Sequence, residues 1–331
     1  MWLNAVLGIG LVVAGVVLLV RGADWFMDSV ADLAREFGMS ALVLGILLAS
    51  LEPEEMLTAA IASFRGNAGL AVGNVVGSNI VITTFALGLS ALISPVVIGF
   101  TIRRQAIVAT LVSIVPIGLM YTGSVGRAAG LVMLAAFVGY SVFLVWRSKA
   151  DLDMHTPISS TSSEIETDER GDESRIRPQR MSAKMRLTLL TLAGLIAMTL
   201  GGWLLVEGAL KLADTFGLAE GVMGATIVSM GTGAEMIALG ISAARKRRTD
   251  ILVGGIAGSF AYNLLATLGL AAVIHPLTID MTMRQIALPI MIVAHIVLLI
   301  LVWRGKIERW VGGLLIVGYF AYLVVIVLPG R

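Results

Sequence analysis

Four glutamates stand inside otherwise apolar stretches of this 331-residue chain: Glu52, Glu54 and Glu55 in one stretch and Glu235 in another. An ionisable side chain in a membrane-length apolar run is costly, and it marks an ion or proton path by default. Paired carboxylates suit one chemistry in particular. Hard cations take oxygen ligands, and two carboxylates neutralise one divalent charge. The same groups can bind protons when the cation leaves. Polar partners occur in two further runs. Ser78 and Asn79 offer side-chain oxygens, Ser259 repeats the serine, and Asn263 lies one helical turn beyond Phe260 on the same face. Plainer readings exist for each. A carboxylate at a helix end simply meets water, which suits Glu52 and Glu55 better than Glu54 and Glu235. Asn74 suits a helix–helix hydrogen bond. Asp24, Asp28 and Glu207 fall near the ends of two runs and read as interfacial carboxylates. His295 is alone in its run and reads as a packing residue. His155, His275 and His295 are not spaced for zinc.

The elements that must position these residues follow from composition. Hydrophobic residues make up 57% of the chain and charged residues 14%, against about 25% charged in a soluble domain. Mean hydropathy is +0.93. This excludes an ordinary soluble enzyme and a disordered regulator. There is no cysteine, so no disulfide or thiolate–metal scheme is available. At about 20 residues per span, the chain has room for ten. The apolar cores run over 3–20, 41–62, 70–97, 105–122, 128–146, 187–206, 221–243, 251–274, 285–303 and 310–328. They lack the dyad alternation of a membrane barrel. The first run lacks a basic lead-in and reads as a span rather than a cleaved signal. The spacing predicts an all-α polytopic membrane protein of ten transmembrane helices. Residues 149–186 are polar and serine-rich, and read as a flexible linker. The linker separates a five-helix unit at 1–148 from a second at 187–331.

The two units resemble each other. Ala71-Val-Gly-Asn-Val-Val-Gly-Ser-Asn79 answers Leu252-Val-Gly-Gly-Ile-Ala-Gly-Ser-Phe260, and Pro53-Glu54 answers Ala234-Glu235. Glu54 to Asn79 and Glu235 to Phe260 are both 25 positions. The glycines in these segments also suit close helix packing. Pro53 on one side and Gly231 and Gly233 on the other weaken the helix at matching points. Alternate loops hold 19 and 5 of the 24 basic residues, and the stretch from Arg147 through the linker supplies eight of the 19. The positive-inside rule then puts the linker in the cytoplasm and both termini outside. Five spans is an odd number, so the repeats are inverted. Inverted repeats are the architecture of many secondary transporters, with sites at the midplane on broken helices. The tetrad Arg245-Lys-Arg-Arg248 reads as a topology anchor that could also touch anionic headgroups.

These paired segments resemble the calcium/cation antiporter superfamily, which includes the sodium/calcium exchangers. The likeness covers nearly all the chain apart from the linker. It is most specific at Gly-Asn-Val-Val-Gly-Ser-Asn-Ile (73–80), Pro53-Glu54 and Gly-Thr-Gly-Ala-Glu (231–235). The resemblance implies two inverted five-helix halves. Glu54 and Glu235 would be the paired carboxylates that hold the metal ion, with Asn79, Ser78, Thr232 and Ser259 as further ligands. Ser50, Glu52, Glu55 and Asn263 are additional candidates. This chain also departs from the family pattern. Ala49-Ser-Leu-Glu-Pro-Glu54 stands where the family has Gly-Thr-Ser-x-Pro-Glu, so Glu55 could take the ligand register instead of Glu54. Ala234 replaces the second proline, and Phe260 stands where the family has a second Asn or Asp. A phenyl ring supplies no oxygen, so at least one family cation site is lost or rebuilt, with Asn263, Glu52 or Glu55 available for it.

The expected function is a cation antiporter with alternating access, exchanging Ca²⁺ for Na⁺ or H⁺, and not an enzyme. Its partners would be inorganic cations and the bilayer, with no nucleic acid and no resident cofactor. The oligomeric state is not legible. Phe260 motivates an alternative: the same fold carrying another cation with strict proton coupling. An intramembrane hydrolase built on Glu54-Glu55 would need histidine or metal partners that the sequence does not bring together. The expected location is a prokaryotic-type inner membrane.

Overall fold

The computed structural model describes residues 2–36, 52–154, 183–213 and 220–328. Apart from four two-residue strands and short turns, the described chain is helical. That outcome follows from the runs themselves. In lipid each backbone N–H and C=O needs a partner within the protein, and a helix supplies them all locally.

In chain order the helices are α1 (Trp2–Glu36), α2 (Pro53–Phe64), α3 (Ala68–Ile93), α4 (Phe100–Tyr121), α5 (Arg127–Met154), α6 (Ala183–Ala213), α7 (220–232), α8 (Ala234–Arg245), α9 (249–274), α10 (Met283–Arg304) and α11 (Arg309–Val327). The strands are β1 (Val96–Val97), β2 (Ser124–Val125), β3 (Leu277–Thr278) and β4 (Lys306–Ile307). Among the described residues, eight helices are long and apolar enough to cross a membrane. The pair Gly224–Thr232 and Ala234–Arg245, bent by 45°, makes a ninth. Helix α2 is a shorter apolar helix, and the first half of the expected second span, with Ser50, lies outside the described residues.

Two boundaries differ from expectation. Helix α1 runs to Glu36, well beyond the expected run at 3–20, and Asp24 and Asp28 fall near the end of its membrane-length apolar part, Leu7–Val30. The hydroxyl of Ser242 donates to Asp24 (2.6 Å), and Lys246 Nζ lies 2.6 Å from Asp28 Oδ1. Those partners on and just after α8 let α1 continue past both aspartates. Helices α5 and α6 also extend into the expected linker, to Met154 and from Ala183. Residues 155–182 lie outside the described residues.

The internal repeat is carried by the elements. Pro53 and Ala234 open α2 and α8, and Ala68 and Thr249 open α3 and α9. Val81 and Tyr262 open a π-helical turn inside α3 and α9, and Val96 and Leu277 open β1 and β3. Each pair is 181 positions apart. The units pack crosswise. Strand β1 pairs antiparallel with β4, and β2 with β3. The 22-residue α4 separates β1 from β2, a rise of about 33 Å, so β1 and its counterpart β3 lie at opposite ends of the molecule. The ends are tied reciprocally. Arg309 Nη2 donates to the Ile93 carbonyl, and Arg127 Nη2 to the Ile274 carbonyl, both at 3.4 Å.

Helix α9 is buried along its whole apolar length and α3 along most of it, whereas α5 and α11 expose Leu131, Val132, Leu314 and Val317. A helix apolar on every side belongs in the centre of a bundle. The helices that carry the polar candidates are therefore the central ones.

Candidate cation site

Glu52 is the residue just before α2, and Pro53 opens that helix where its missing N–H costs nothing. The Glu52 side chain is fully buried. It reaches α9 in the other unit: Ser259 Oγ lies 3.2 Å from one carboxylate oxygen, and Asn263 Nδ2 donates to the other at 3.1 Å. Ser259 and Asn263 are four positions apart, so both project from one face of α9. The Tyr262 hydroxyl approaches the Glu52 carbonyl at 3.5 Å. Ser259 and Asn263 are both neutral groups, and hydrogen bonds to a carboxylate are among the stronger ones. Glu55, one turn into α2, is also fully buried. The side chain of Glu54 lies outside those described.

The second arm lies across the break between α7 and α8. Gly233 occupies the bend, and a Cβ there would lie 2.9 Å from both the Ser229 carbonyl and Val81 Cγ1. Glu235 sits in the first turn of α8 and is fully buried. A carboxylate is favoured there by the positive end of the helix dipole. Thr232, at the end of α7, bridges to α3. Its Oγ1 lies 3.0 Å from Ser78 Oγ and 3.1 Å from Asn74 Oδ1. Asn74 thus makes the helix–helix hydrogen bond expected of it. Asn79 Nδ2 donates to the Val75 carbonyl at 2.8 Å. Among the described residues, no donor meets Asn79 Oδ1 or Asn263 Oδ1, although both are buried. A buried carbonyl-type oxygen with no donor is a natural hard-cation ligand. Asn263 opens no helix of its own. It lies in the π-helical turn of α9, where the extra residue per turn shifts the side-chain phase, and such turns recur at functional sites.

The glycines make these approaches close. A Cβ on Gly73 would lie 2.3 Å from the Gly221 carbonyl, and one on Gly77 would lie 2.6 Å from that of Ala225. Helices α3 and α7 meet backbone to backbone, as expected of small residues in a bundle. Among the described residues, no three His, Asp or Glu side chains gather around one point. The neutral oxygens of Ser, Thr and Asn are the more numerous ones.

Phe260 is fully buried in α9 and stacks on His295 of α10, with ring centroids 3.6 Å apart and planes at 28°. His295 Nε2 lies 2.7 Å from Thr110 Oγ1 of α4. An aromatic stack thus fills the position that answers Asn79 in the other unit.

The family model described as "Sodium/calcium exchanger protein" matches residues 7–146 and 186–328. The chain belongs to the sodium/calcium exchanger family. This exchanger-family chain is 29% identical over 327 residues to "Inner membrane protein YrbG" of Escherichia coli, covering 96% of each. It is 25% identical over 343 residues to "Sodium/calcium exchanger MaX1" of Methanosarcina acetivorans, covering 94% of this chain and 96% of that one. A solved structure of the sodium-calcium exchanger NCX_Mj superposes with a TM-score of 0.76 at 25% identity, over 97% of this chain and 98% of that one. The protein is a membrane transporter of this family.

Of the residues singled out in the sequence, Ser78 and Thr232 meet each other, and Ser259 and Asn263 meet Glu52. Glu235 is buried at the break. The sequence ranked Glu54 above Glu52 because of the Pro-Glu motif. A signal for Glu52 was present in the Ser259/Asn263 face, which presents a hydroxyl and an amide one turn apart.

Proposed function

We propose that this exchanger-family protein carries Ca²⁺ against Na⁺ or H⁺ by alternating access, through a site on two inverted five-helix repeats. The reading counts ten spans. Besides the nine candidates it counts the expected span at 41–62, of which only the part in α2 lies within the described residues. Opposite placement of β1 and β3 supports the inversion, and the basic residues put the linker inside the cell and the termini outside. The observation that carries the function is the buried Glu52 carboxylate held by Ser259 and Asn263 of the other unit. An ionisable group buried in a membrane-length apolar bundle marks an ion or proton path by default. Glu52 and Glu235 would supply the charge, Asn79, Asn263, Ser78, Ser259 and Thr232 the neutral oxygens, with Glu54 and Glu55 as neighbouring carboxylates. Coupling follows because an unneutralised pair cannot cross the low-dielectric passage.

The test is ⁴⁵Ca²⁺ uptake into vesicles reconstituted with the full chain, against imposed Na⁺ or H⁺ gradients. Uptake driven by either gradient is expected, and it should fall at least tenfold in both Glu52→Gln and Glu235→Gln. Full uptake in both variants overturns the site. The Phe260–His295 stack favours a second reading, in which one cation position is filled by rings and the exchange is strictly proton-coupled. Uptake that follows a pH gradient and ignores a Na⁺ gradient selects that reading.

A further inference from the structure

The tetrad 245–248 divides its charges between two surfaces. Lys246 and Arg248 turn to α1: Lys246 Nζ pairs with Asp28 and donates to the Asp24 carbonyl at 3.0 Å, and Arg248 donates to the Met27 carbonyl. Arg245 and Arg247 turn the other way. Together with Arg309 they line a cavity of about 560 Å³, between the α8–α9 turn and the start of β1. Ser94 and Thr249 add hydroxyls to its wall, and Val97 adds an apolar edge. Among the described residues, no hydrogen bond or ion pair engages the side chain of Arg245 or Arg247. Arg309 spends one nitrogen on the Ile93 carbonyl. A topology anchor requires only charge. It does not require three guanidinium groups around one hollow.

Arg247 has φ 55, the one non-glycine positive φ among the described residues. That backbone conformation costs roughly 1 kcal/mol for a residue with a Cβ. The nearby carboxylate of Glu308 is already engaged. The Trp310 N–H and then Lys306 hold its carboxyl below the usual carboxylate range. Among the described residues no carboxylate pairs with the arginines of this cavity, and their fork geometry fits phosphate oxygens.

The rim decides what kind of phosphate. Val97, in its wall, is 63% exposed, and Phe100, at the start of α4, and Trp310, next to Arg309 in the chain, are 80% and 60% exposed. Exposed aromatic rings next to basic side chains are the signature of the membrane interface. We infer that this cavity is a binding site for the phosphate headgroup of an anionic phospholipid, whose acyl chains lie against the Val97–Phe100 edge. The site is separate from the cation site, and its test does not depend on transport.

The purified full-length protein in neutral detergent is presented with phosphatidylglycerol and phosphatidylcholine, and bound lipid is counted by native mass spectrometry. The wild type should retain phosphatidylglycerol in preference. Arg245→Gln/Arg247→Gln should reduce that preference roughly 25-fold, about fivefold per interfacial arginine. The charge-matched control Arg304→Gln/Lys306→Gln, at the same end but outside the cavity, should reduce it little. Val97→Trp fills the cavity from an exposed position and keeps every charge, and it should reduce retention as well. Equal loss in the control, or no loss in either cavity variant, overturns the site. Displacement of the lipid by millimolar inorganic phosphate would replace the lipid assignment with a soluble-phosphate one, and so overturn it too.

Discussion

At the scale of single residues, the choice among three closely spaced glutamates turns on a contact between chain segments more than 200 positions apart. Glu52 leans on Ser259 and Asn263, and a hydrogen bond to a charged group contributes about 1.5–3 kcal/mol. Asn263→Leu keeps the branched shape and removes the donor. It should weaken the apparent Ca²⁺ affinity by roughly tenfold or more, read as the concentration for half-maximal vesicle uptake. Added to Glu52→Gln, the same change should have little further effect, because residues of one network are not additive. Additive losses would mean that Asn263 acts apart from Glu52. The sequence made every partner visible as a polar exception in an apolar run. It could not rank Glu52, because a Pro-Glu motif is local while the Ser259–Asn263 face is brought to it only by the fold. Phe260 was legible as a missing oxygen, but its stack on His295 was not, since α9 and α10 must pack before the two rings meet.

At the scale of elements, most apolar runs became helices with nearly the expected bounds, because hydropathy reports membrane-length burial directly. It does not report where a helix stops when polar partners allow it to go on, so α1 reached Glu36 unforeseen. Nor does it report π-helical turns, which depend on one extra residue per turn rather than on side-chain polarity. The repeat makes a sharper statement about packing. Gly130 and Gly312 open matching positions on α5 and α11. A Cβ on Gly130 would lie 2.6 Å from the Gly269 carbonyl, and one on Gly312 would lie 2.5 Å from the Gly88 carbonyl. Overpacking of this kind costs about 1–3 kcal/mol. Gly130→Ala and Gly312→Ala should therefore lower the thermal midpoint of the detergent-purified protein by similar amounts. Gly118→Ala and Gly139→Ala, where a Cβ meets nothing within 4 Å, should leave it unchanged or slightly raised. Midpoints lowered only in one half would mean that the two seams are not equivalent.

At the scale of the whole molecule, the question is which way each half faces. Val97 in β1 and Thr278 in β3 are counterparts 181 positions apart, and both are exposed. A parallel repeat would put both on one side of the membrane. Here β1 pairs with β4 and β3 with β2, and α4 and α10 hold those two sheets at opposite ends. The basic residues add the sign. Arg245, Arg247 and Arg309 gather at the β1–β4 end, while Arg284 reaches Gly123 at the β2–β3 end. On the proposed reading, the excess of positive charge near β1 would put that end in the cytoplasm. The chain contains no cysteine, so single-cysteine variants carry one reporter each with no background. A membrane-impermeant maleimide added to intact cells should label Thr278→Cys and spare Val97→Cys. In inside-out vesicles the pattern should reverse. Labelling of both from one side would sink the inverted arrangement, and with it the reason for putting the two units' carboxylates at the same depth. Opposite labelling with the sides exchanged would keep the inversion but put the linker outside, which the concentration of basic residues at its end makes the costlier orientation.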